Sequence, residues 1–267
     1  MDTNRQIVLV GCGNMGAALL SGWLAQGVEP RRIRVVDTQP RALERARSHG
    51  VEAGSVLDGA AADVLVLAVK PQQLESLLPA CRGLTAEDTL VLSIAAGKPL
   101  AFFERFFGKP AMIVRAMPNT PAAIGRGITV LVANDAVGAG QKSTAEMLLR
   151  AGGEVVWVDD ESLMDAVTAV SGSGPAYVFL LIEALAAAAR DVGLDAELAE
   201  RLATATVAGA GAYAQQAGQS AAALREQVTS PGGTTQAALE VLMGDRGLAP
   251  LVLEAVRAAT RRGRELA

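Results

Sequence analysis

QIVLVGCGNMG, residues Gln6–Gly16, joins an apolar β-branched run to three glycines spaced GxGxxG. The run reads as a strand buried on both faces, and a helical pattern follows it over Met15–Gln26. Gly11 permits a tight turn between the two. Gly13 lets the backbone approach a pyrophosphate, whose charge then faces the helix N-terminus. Three glycines alone are a weak signal, since a glycine-rich turn without a cofactor looks the same. Here they sit between strand and helix, and Asp37 stands 21 positions past Gly16 at the end of a second strand, in VVDTQPRA.

Outward from this unit the same rhythm repeats. Strands are expected at Ile33–Val36, Asp63–Val69, Thr89–Ala95 and Met112–Met117, with helical stretches between them, notably Pro40–His49. Two more strands, around Ile128–Val132 and Val155–Val158, extend the edge. Continuous apolar runs alternating with helices predict a doubly wound, mostly parallel sheet of the α/β class. After about Glu161 the strand signals stop, and helices are expected at Pro175–Val192, Ala196–Ala217, Ser220–Val228, Thr234–Gly244 and Ala249–Leu266. Pro175 suits a first helical position and Gly193 a C-terminal stop. Two domains are therefore expected: residues 1–160 as a Rossmann dinucleotide-binding domain and residues 161–267 as an all-α domain.

The helical half lacks solvated faces. ATATVAGAGAYA, Ala203–Ala214, is small or apolar on every side, and such a helix must be buried all round. A domain of about 100 residues does not readily enclose several of these helices. A second subunit, interleaved helix against helix, is expected to cover them.

Composition narrows the partners. Hydrophobic residues make up 51% of the 267, aromatic ones only 3%, so the core is aliphatic and alanine-rich. Net charge is −4 with no basic block, and Arg261, Arg262 and Arg264 complement a helix C-terminus. Small molecules are favoured over nucleic acid. Cys12 and Cys81 have no metal or disulfide spacing. Residues Met1–Gln6 run into a strand without a signal-peptide layout, and Leu202–Leu224, though uncharged, is too rich in Thr, Gln, Ser and Gly for a bilayer centre. A cytoplasmic protein without a metal or a membrane partner is expected.

Asp37 is placed to accept bonds from the adenosine ribose hydroxyls, which favours NAD. Thr38, Gln39 and Arg41 offer a phosphate pocket, and the choice between NAD and NADP stays open. AVKP (Ala68–Pro71) and IAAG (Ile94–Gly97) follow the third and fourth expected strands, where a dinucleotide extends toward its nicotinamide. Lys70 reads as catalytic or as a solvated, phosphate-facing lysine. His49, the single histidine, ends a helix and has no acid–base partner in view.

Three further motifs lie downstream: MPNTP (Met117–Pro121), SGSGP (Ser171–Pro175) and SPGGTT (Ser230–Thr235). The last interrupts an Ala-rich helical region. Its glycines turn the chain and its threonines begin a helix, which offers amides and a positive dipole end to a carboxylate. The competing reading is an N-cap, with Thr234 or Thr235 satisfying helix amides. Asn119 of MPNTP either fixes its loop or touches ligand. The SGSGP glycines serve either a pocket border or close packing.

Together GCGNMG, AVKPQ, SIAAG, VRAMPNTP, AVSGSGPAYVF and VTSPGGTTQAA, spread over almost the whole chain, resemble the pyrroline-5-carboxylate reductases. The resemblance implies a Rossmann domain and a helical domain forming an interlocked homodimer, sometimes built into larger rings. It also implies NADPH- or NADH-dependent reduction of L-1-pyrroline-5-carboxylate to L-proline, the last step of proline biosynthesis. Gly11, Cys12, Gly13, Asn14, Met15, Thr38, Ala68, Val69, Lys70, Pro71, Ile94, Ala95 and Ala96 are implied to contact the dinucleotide. Ser55 and Gln227 stand where the family often has asparagines near the cofactor. Gln219 stands near a frequent Glu or Gln at the substrate mouth, and Thr234 where alanine also occurs. Substrate contacts are expected from Ser230, Gly232, Gly233, Thr234, Thr235, Gln219, Asn119 and Ser171, with Thr235 bonding the ring nitrogen as the catalytic group.

The chemistry asks for little more. A protonated cyclic imine is already electrophilic, so orientation is the main task and no strong general acid is required. Two-domain β-hydroxyacid reductases rely on a lysine on the interdomain helix, and PAYVFLLIEALAAAA (Pro175–Ala189) has none. Reduction of another cyclic imine and a non-catalytic dinucleotide sensor are the remaining alternatives.

Overall fold

The computed structural model describes residues 5–266; residues 1–4 of the expected strand lead-in, and residue 267, lie outside them. Among the described residues one sheet has eight strands: β1 (Ile7–Val10), β2 (Ile33–Val36), β3 (Glu52–Gly54), β4 (Val64–Leu67), β5 (Leu90–Ser93), β6 (Met112–Met117), β7 (Gly127–Ala133) and β8 (Gly153–Trp157). Their order is β3-β2-β1-β4-β5-β6-β7-β8. All neighbours are parallel except β6 and β7, which are antiparallel. The strand order reverses between β1 and β4, and a crevice opens beyond the carboxyl ends of the strands at such a point.

Alternation within the strands explains why both faces are covered. Ile7 and Leu9 of β1 enter one core with Val64, Val66, Trp23 and Leu148, whereas Val8 and Val10 enter another with Leu65, Leu67, Leu74 and Phe103. The first core is supplied by α1 (Asn14–Ala25), α2 (Pro40–Ser48) and, later in the chain, α5 (Ala139–Leu149); the second by α3 (Pro71–Cys81) and α4 (Leu100–Phe107). Trp23 is fully buried and its indole N–H donates to the Leu148 carbonyl at 2.8 Å, so its polar atom is satisfied inside the core.

Helices follow from Met164: α6 (Met164–Val167), a π-helical turn over Thr168–Gly172, then α7 (Gly174–Asp191), α8 (Ala196–Gln216), α9 (Ala221–Gln227), α10 (Thr234–Leu242) and α11 (Leu248–Leu266). Helix α7 begins at Gly174, so Pro175 takes the second helical position; Gly193, at φ +105°, stops it. The chain forms two compact units, Met1–Gly172 with Ala259–Ala267, and Ser173–Ala258. The strands end at Trp157, near the expected change of pattern, while the division into units falls further along, inside the helical run.

One buried ion pair in the first unit was not foreseen. Arg115 of β6 is 6% exposed and donates through Nη1 to Glu161 Oε1 at 2.9 Å; the same oxygen accepts from the Leu100 N–H at 2.8 Å. Removing the carboxylate leaves a buried guanidinium unpaired. Glu161→Ala is expected to cost about 3 kcal/mol of stability, read from the urea midpoint at unchanged slope. A loss within error would show that water replaces the carboxylate.

Candidate active site

Gly11 carries φ +92°, and a Cβ there would press on the Ala68 carbonyl at 2.7 Å. A Cβ on Gly16 would collide with the Gly11 carbonyl, so the third glycine holds α1 tight against the strand end. Gly13 differs from both. It precedes α1 as its N-cap, no side chain caps the helix, and a Cβ added there would meet nothing within 4 Å. The first intrahelical bond runs from the Ala17 N–H to the Gly13 carbonyl at 2.8 Å, which leaves the amides before it without helical acceptors.

Gly11 and Gly13, at the foot of α1, border a cavity of ≈ 350 Å³ at the switch point. Of the expected dinucleotide contacts, Gly11, Gly13, Asp37, Thr38, Ser55, Ala68, Val69 and Lys70 line it, joined by Val10, Val36, Gln39, Leu57, Gln73 and Leu77. Asn14 and Met15 occupy the first turn of α1, where their amides lack helical acceptors, but they do not line this cavity. Cys12 is buried in the core beneath, and burial, then the Asp37 carboxylate, push its thiol up; Cys81 is pushed up to about 12 by burial. Both thiols are therefore neutral and unsuited to nucleophilic work.

Asp37 is held twice. Oδ2 accepts from the Cys12 N–H at 2.6 Å and Oδ1 from the Gln39 N–H at 2.7 Å. The Lys70 N–H donates to Gln73 Oε1 at 3.3 Å, which ties the AVKP turn to the start of α3. The three-to-four-residue helical spacing between Lys70 and Gln73 is the signal that would have found Gln73.

A second cavity of ≈ 260 Å³ lies past β4 and β5, lined by Pro71, Gln72, Glu75, Ala96, Gly97, Lys98, Phe102, Asp165, Thr168, Gly263 and Leu266. Pro71 and Ala96 thus face a different space from the other expected cofactor residues. Ile94 and Ala95 line neither: the Ile94 N–H donates to the Leu67 carbonyl at 3.0 Å, and Ala95 is buried.

Asn119 and Ser171 come together, though not as open donors. Asn119 Nδ2 donates to the Ser171 carbonyl at 3.1 Å and its Oδ1 accepts from the Ile128 N–H at 3.0 Å. The Ser171 hydroxyl donates to the Val167 carbonyl at 2.9 Å. A Cβ on Gly172 would strike Met117 Cε at 2.5 Å. MPNTP and the π-turn therefore brace each other, and close packing accounts for Gly172.

In the second unit the capping alternative for SPGGTT fails. Gly233 is the N-cap of α10 and no side chain caps it, so Thr234 and Thr235 stand inside the helix as its first residues. By contrast Asp195 caps α8, accepting from the Leu198 N–H at 3.0 Å, and Ser220 caps α9, accepting from the Ala223 N–H at 3.2 Å. Gly232, at φ +70°, makes the turn, and its N–H donates to Gln236 Oε1 at 2.7 Å. The Gly233 N–H donates to the Ser230 carbonyl at 3.0 Å. Open donors thus reduce to the first-turn amides of α10 and the hydroxyls of Ser230, Thr234 and Thr235. Gln227 and Gln219, expected at cofactor and substrate, bond each other, Nε2 to Oε1 at 2.6 Å.

A glycine turn and open helix end at the switch point of a doubly wound sheet define a dinucleotide-binding protein of the Rossmann type. Residues 161–266 match the family model for pyrroline-5-carboxylate reductase dimerisation, and residues 6–97 that for NADP oxidoreductase coenzyme F420-dependent proteins. Over 272 residues, spanning 100% of this chain and 98% of the other, it is 44% identical to the pyrroline-5-carboxylate reductase of Pseudomonas aeruginosa. The chain belongs to the pyrroline-5-carboxylate reductase family. A Synechocystis relative of the same name is 41% identical over 270 residues, covering 98% of each chain. Among solved structures, the pyrroline-5-carboxylate reductase of Coxiella burnetii superposes with a TM-score of 0.92 at 40% identity, covering 98% of each chain. That of Plasmodium falciparum, with NADP bound, gives 0.85 at 27%, covering 99% of this chain and 98% of its own.

Proposed function

We infer that this chain reduces L-1-pyrroline-5-carboxylate to L-proline with NADH or NADPH, the final step of proline biosynthesis. Two observations support it, each within its own unit: an open α1 N-terminus beside the first cavity, and an uncapped α10 N-terminus bearing Thr235. One end suits a pyrophosphate, the other a carboxylate. Gly11, Gly13, Thr38, Ser55 and Lys70 hold the dinucleotide along the cavity, with Asp37 toward the adenosine ribose. When bound, the reduced nicotinamide supplies the hydride.

The chain's own residues orient the imine. First-turn amides of α10 and the Ser230 hydroxyl take the substrate carboxylate. In the protonated imine, the ring N–H donates to the Thr235 hydroxyl oxygen, which sets the imine carbon toward the incoming hydride. The nitrogen keeps that proton, and the C=N π pair becomes its lone pair as the C–H bond forms, leaving a neutral secondary amine that takes its second proton from water. No titrating side chain is needed, and His49, exposed at the end of α2, takes no part.

A second copy of the chain covers the helical unit. The run Glu161–Asp191 is long and apolar enough to cross a membrane by composition, with 6% of its most apolar stretch buried. A helical partner suits it better than lipid, because Asp165 and the Asn119-tethered π-turn sit within it. Two free, buried cysteines fit a reducing, cytoplasmic setting.

Mixing the protein with NADH or NADPH and pyrroline-5-carboxylate, and following cofactor absorbance, tests the reading. Oxidation that requires the imine supports it; binding without imine-dependent oxidation favours the sensor. A second expectation separates site from scaffold. Gly13→Ala should lower dinucleotide affinity at least about tenfold while stability stays within about 1 kcal/mol, because a Cβ there meets no protein atom within 4 Å and stands on the wall of the cavity. Titration of the reduced cofactor's fluorescence, beside a thermal melt, reads both.

A further inference from the structure

We propose that Asp37 makes the dinucleotide site selective for NADH over NADPH. The proposal rests on the reading of the first cavity as the dinucleotide seat, and it deepens that reading at the adenosine end.

Asp37 ends β2 and lines the cavity. Its two oxygens are fixed from opposite sides of the turn, by the Cys12 N–H at 2.6 Å and the Gln39 N–H at 2.7 Å. These bonds anchor the carboxylate to β1–α1 and to the start of α2 at once, so it does not swing aside to admit another anion. An ionised carboxylate has about four acceptor positions and no donor. With one position on each oxygen taken by an amide, each keeps an acceptor position for a hydroxyl, which matches the vicinal 2′- and 3′-hydroxyls of an unphosphorylated ribose.

A 2′-phosphate has the opposite need: it accepts and cannot donate. Four of the backbone donors around the turn are already occupied. The Cys12 and Gln39 amides hold Asp37, the Asp37 N–H donates to the Gly54 carbonyl at 3.1 Å, and the Gly11 N–H donates to the Val36 carbonyl at 2.8 Å. A phosphate there would meet a fixed negative charge, and two donors left to it on the cavity wall, Thr38 and Ser55, are neutral. Arg41 is the countervailing group. It is exposed on the first turn of α2, and a solvated guanidinium is screened and costs side-chain freedom to immobilise. A fixed carboxylate in the cavity wall outweighs a mobile cation in water.

The test is equilibrium binding to the intact protein, without substrate, by fluorescence titration with NADH and with NADPH. NADH is expected to bind at least about tenfold more tightly, the size of one well-placed charge contact. Equal or tighter binding of NADPH overturns the proposal. Failure of both to bind instead overturns the dinucleotide reading beneath it. Asp37→Asn keeps an acceptor for one amide and removes the charge, and should bring the two affinities together, mainly by strengthening NADPH. An unchanged ratio in a variant with the wild-type melting temperature removes Asp37 as the determinant. Should that variant unfold, Arg41→Ala supplies the second arm: it should leave NADH binding and widen the preference, whereas a narrowed preference contradicts the proposal.

Discussion

Thr235→Val is expected to lower kcat/KM for pyrroline-5-carboxylate by about 100-fold, the scale seen when one aimed polar contact to a reacting centre is removed. On the proposed role the fall should lie mostly in kcat: a bond from the ring nitrogen to Thr235 would fix the imine carbon's direction, while the contacts proposed for the carboxylate remain. Valine matches threonine in shape and β-branching, so the helix is little disturbed. Had Thr235 capped α10, its loss would have cost helix stability and any kinetic effect would have been indirect. Gly233 caps the helix instead, and the Thr235 hydroxyl stands in the first turn with no role in closing it. Thr235→Ser keeps the hydroxyl and should recover most of the rate. Steady-state kinetics on both variants, with cofactor affinity measured separately, decides the matter. A valine variant at the wild-type rate would remove Thr235 from the chemistry.

Much of this was legible in the sequence because local pattern and tertiary demand agree. IRVV and MIVRAM are strands to the residue, because each is apolar but for one arginine, and Arg115 is kept inside its strand by the Glu161 carboxylate. β3 was not legible: Glu52-Ala53-Gly54 has neither β-branching nor alternation, and it is a strand only because β2 presents an edge to pair with. The direction of β7, antiparallel to β6, depends on how the MPNTP loop returns, and no periodicity encodes that. At the site, the glycine roles followed from backbone geometry. Bonds between residues distant in sequence did not: Asn119 to Ser171, Arg115 to Glu161, and the two-sided hold on Asp37 need the fold before they exist. The Gln219–Gln227 pair spans only eight positions, yet the turn between α8 and α9 is what lets those side chains meet.

Leu180→Glu should yield a folded monomer that retains cofactor binding and loses at least about 99% of its activity, an effect equivalent to roughly 3 kcal/mol at the catalytic assembly. Leu180 is 64% exposed on α7, beside Phe179 at 57%, and α11 adds Leu251 at 60%. Exposure at successive helical positions of large apolar side chains is not a solvated face but a surface awaiting another protein. The match to the family's dimerisation model over 161–266 supports a second copy as the occupant. In a twofold interface each substitution enters twice, so one buried, unpaired carboxylate per chain becomes two per dimer. Activity should fall with assembly because the Ser230–Thr235 loop joins α9 to α10, helices whose Val228, Val241 and Leu242 lie uncovered in a single chain. Without the second copy nothing holds that loop in register with a substrate. Light scattering gives the mass, fluorescence titration shows that the first unit still binds dinucleotide, and the absorbance assay gives the rate. Folded monomers with full activity would show that one chain completes the site alone.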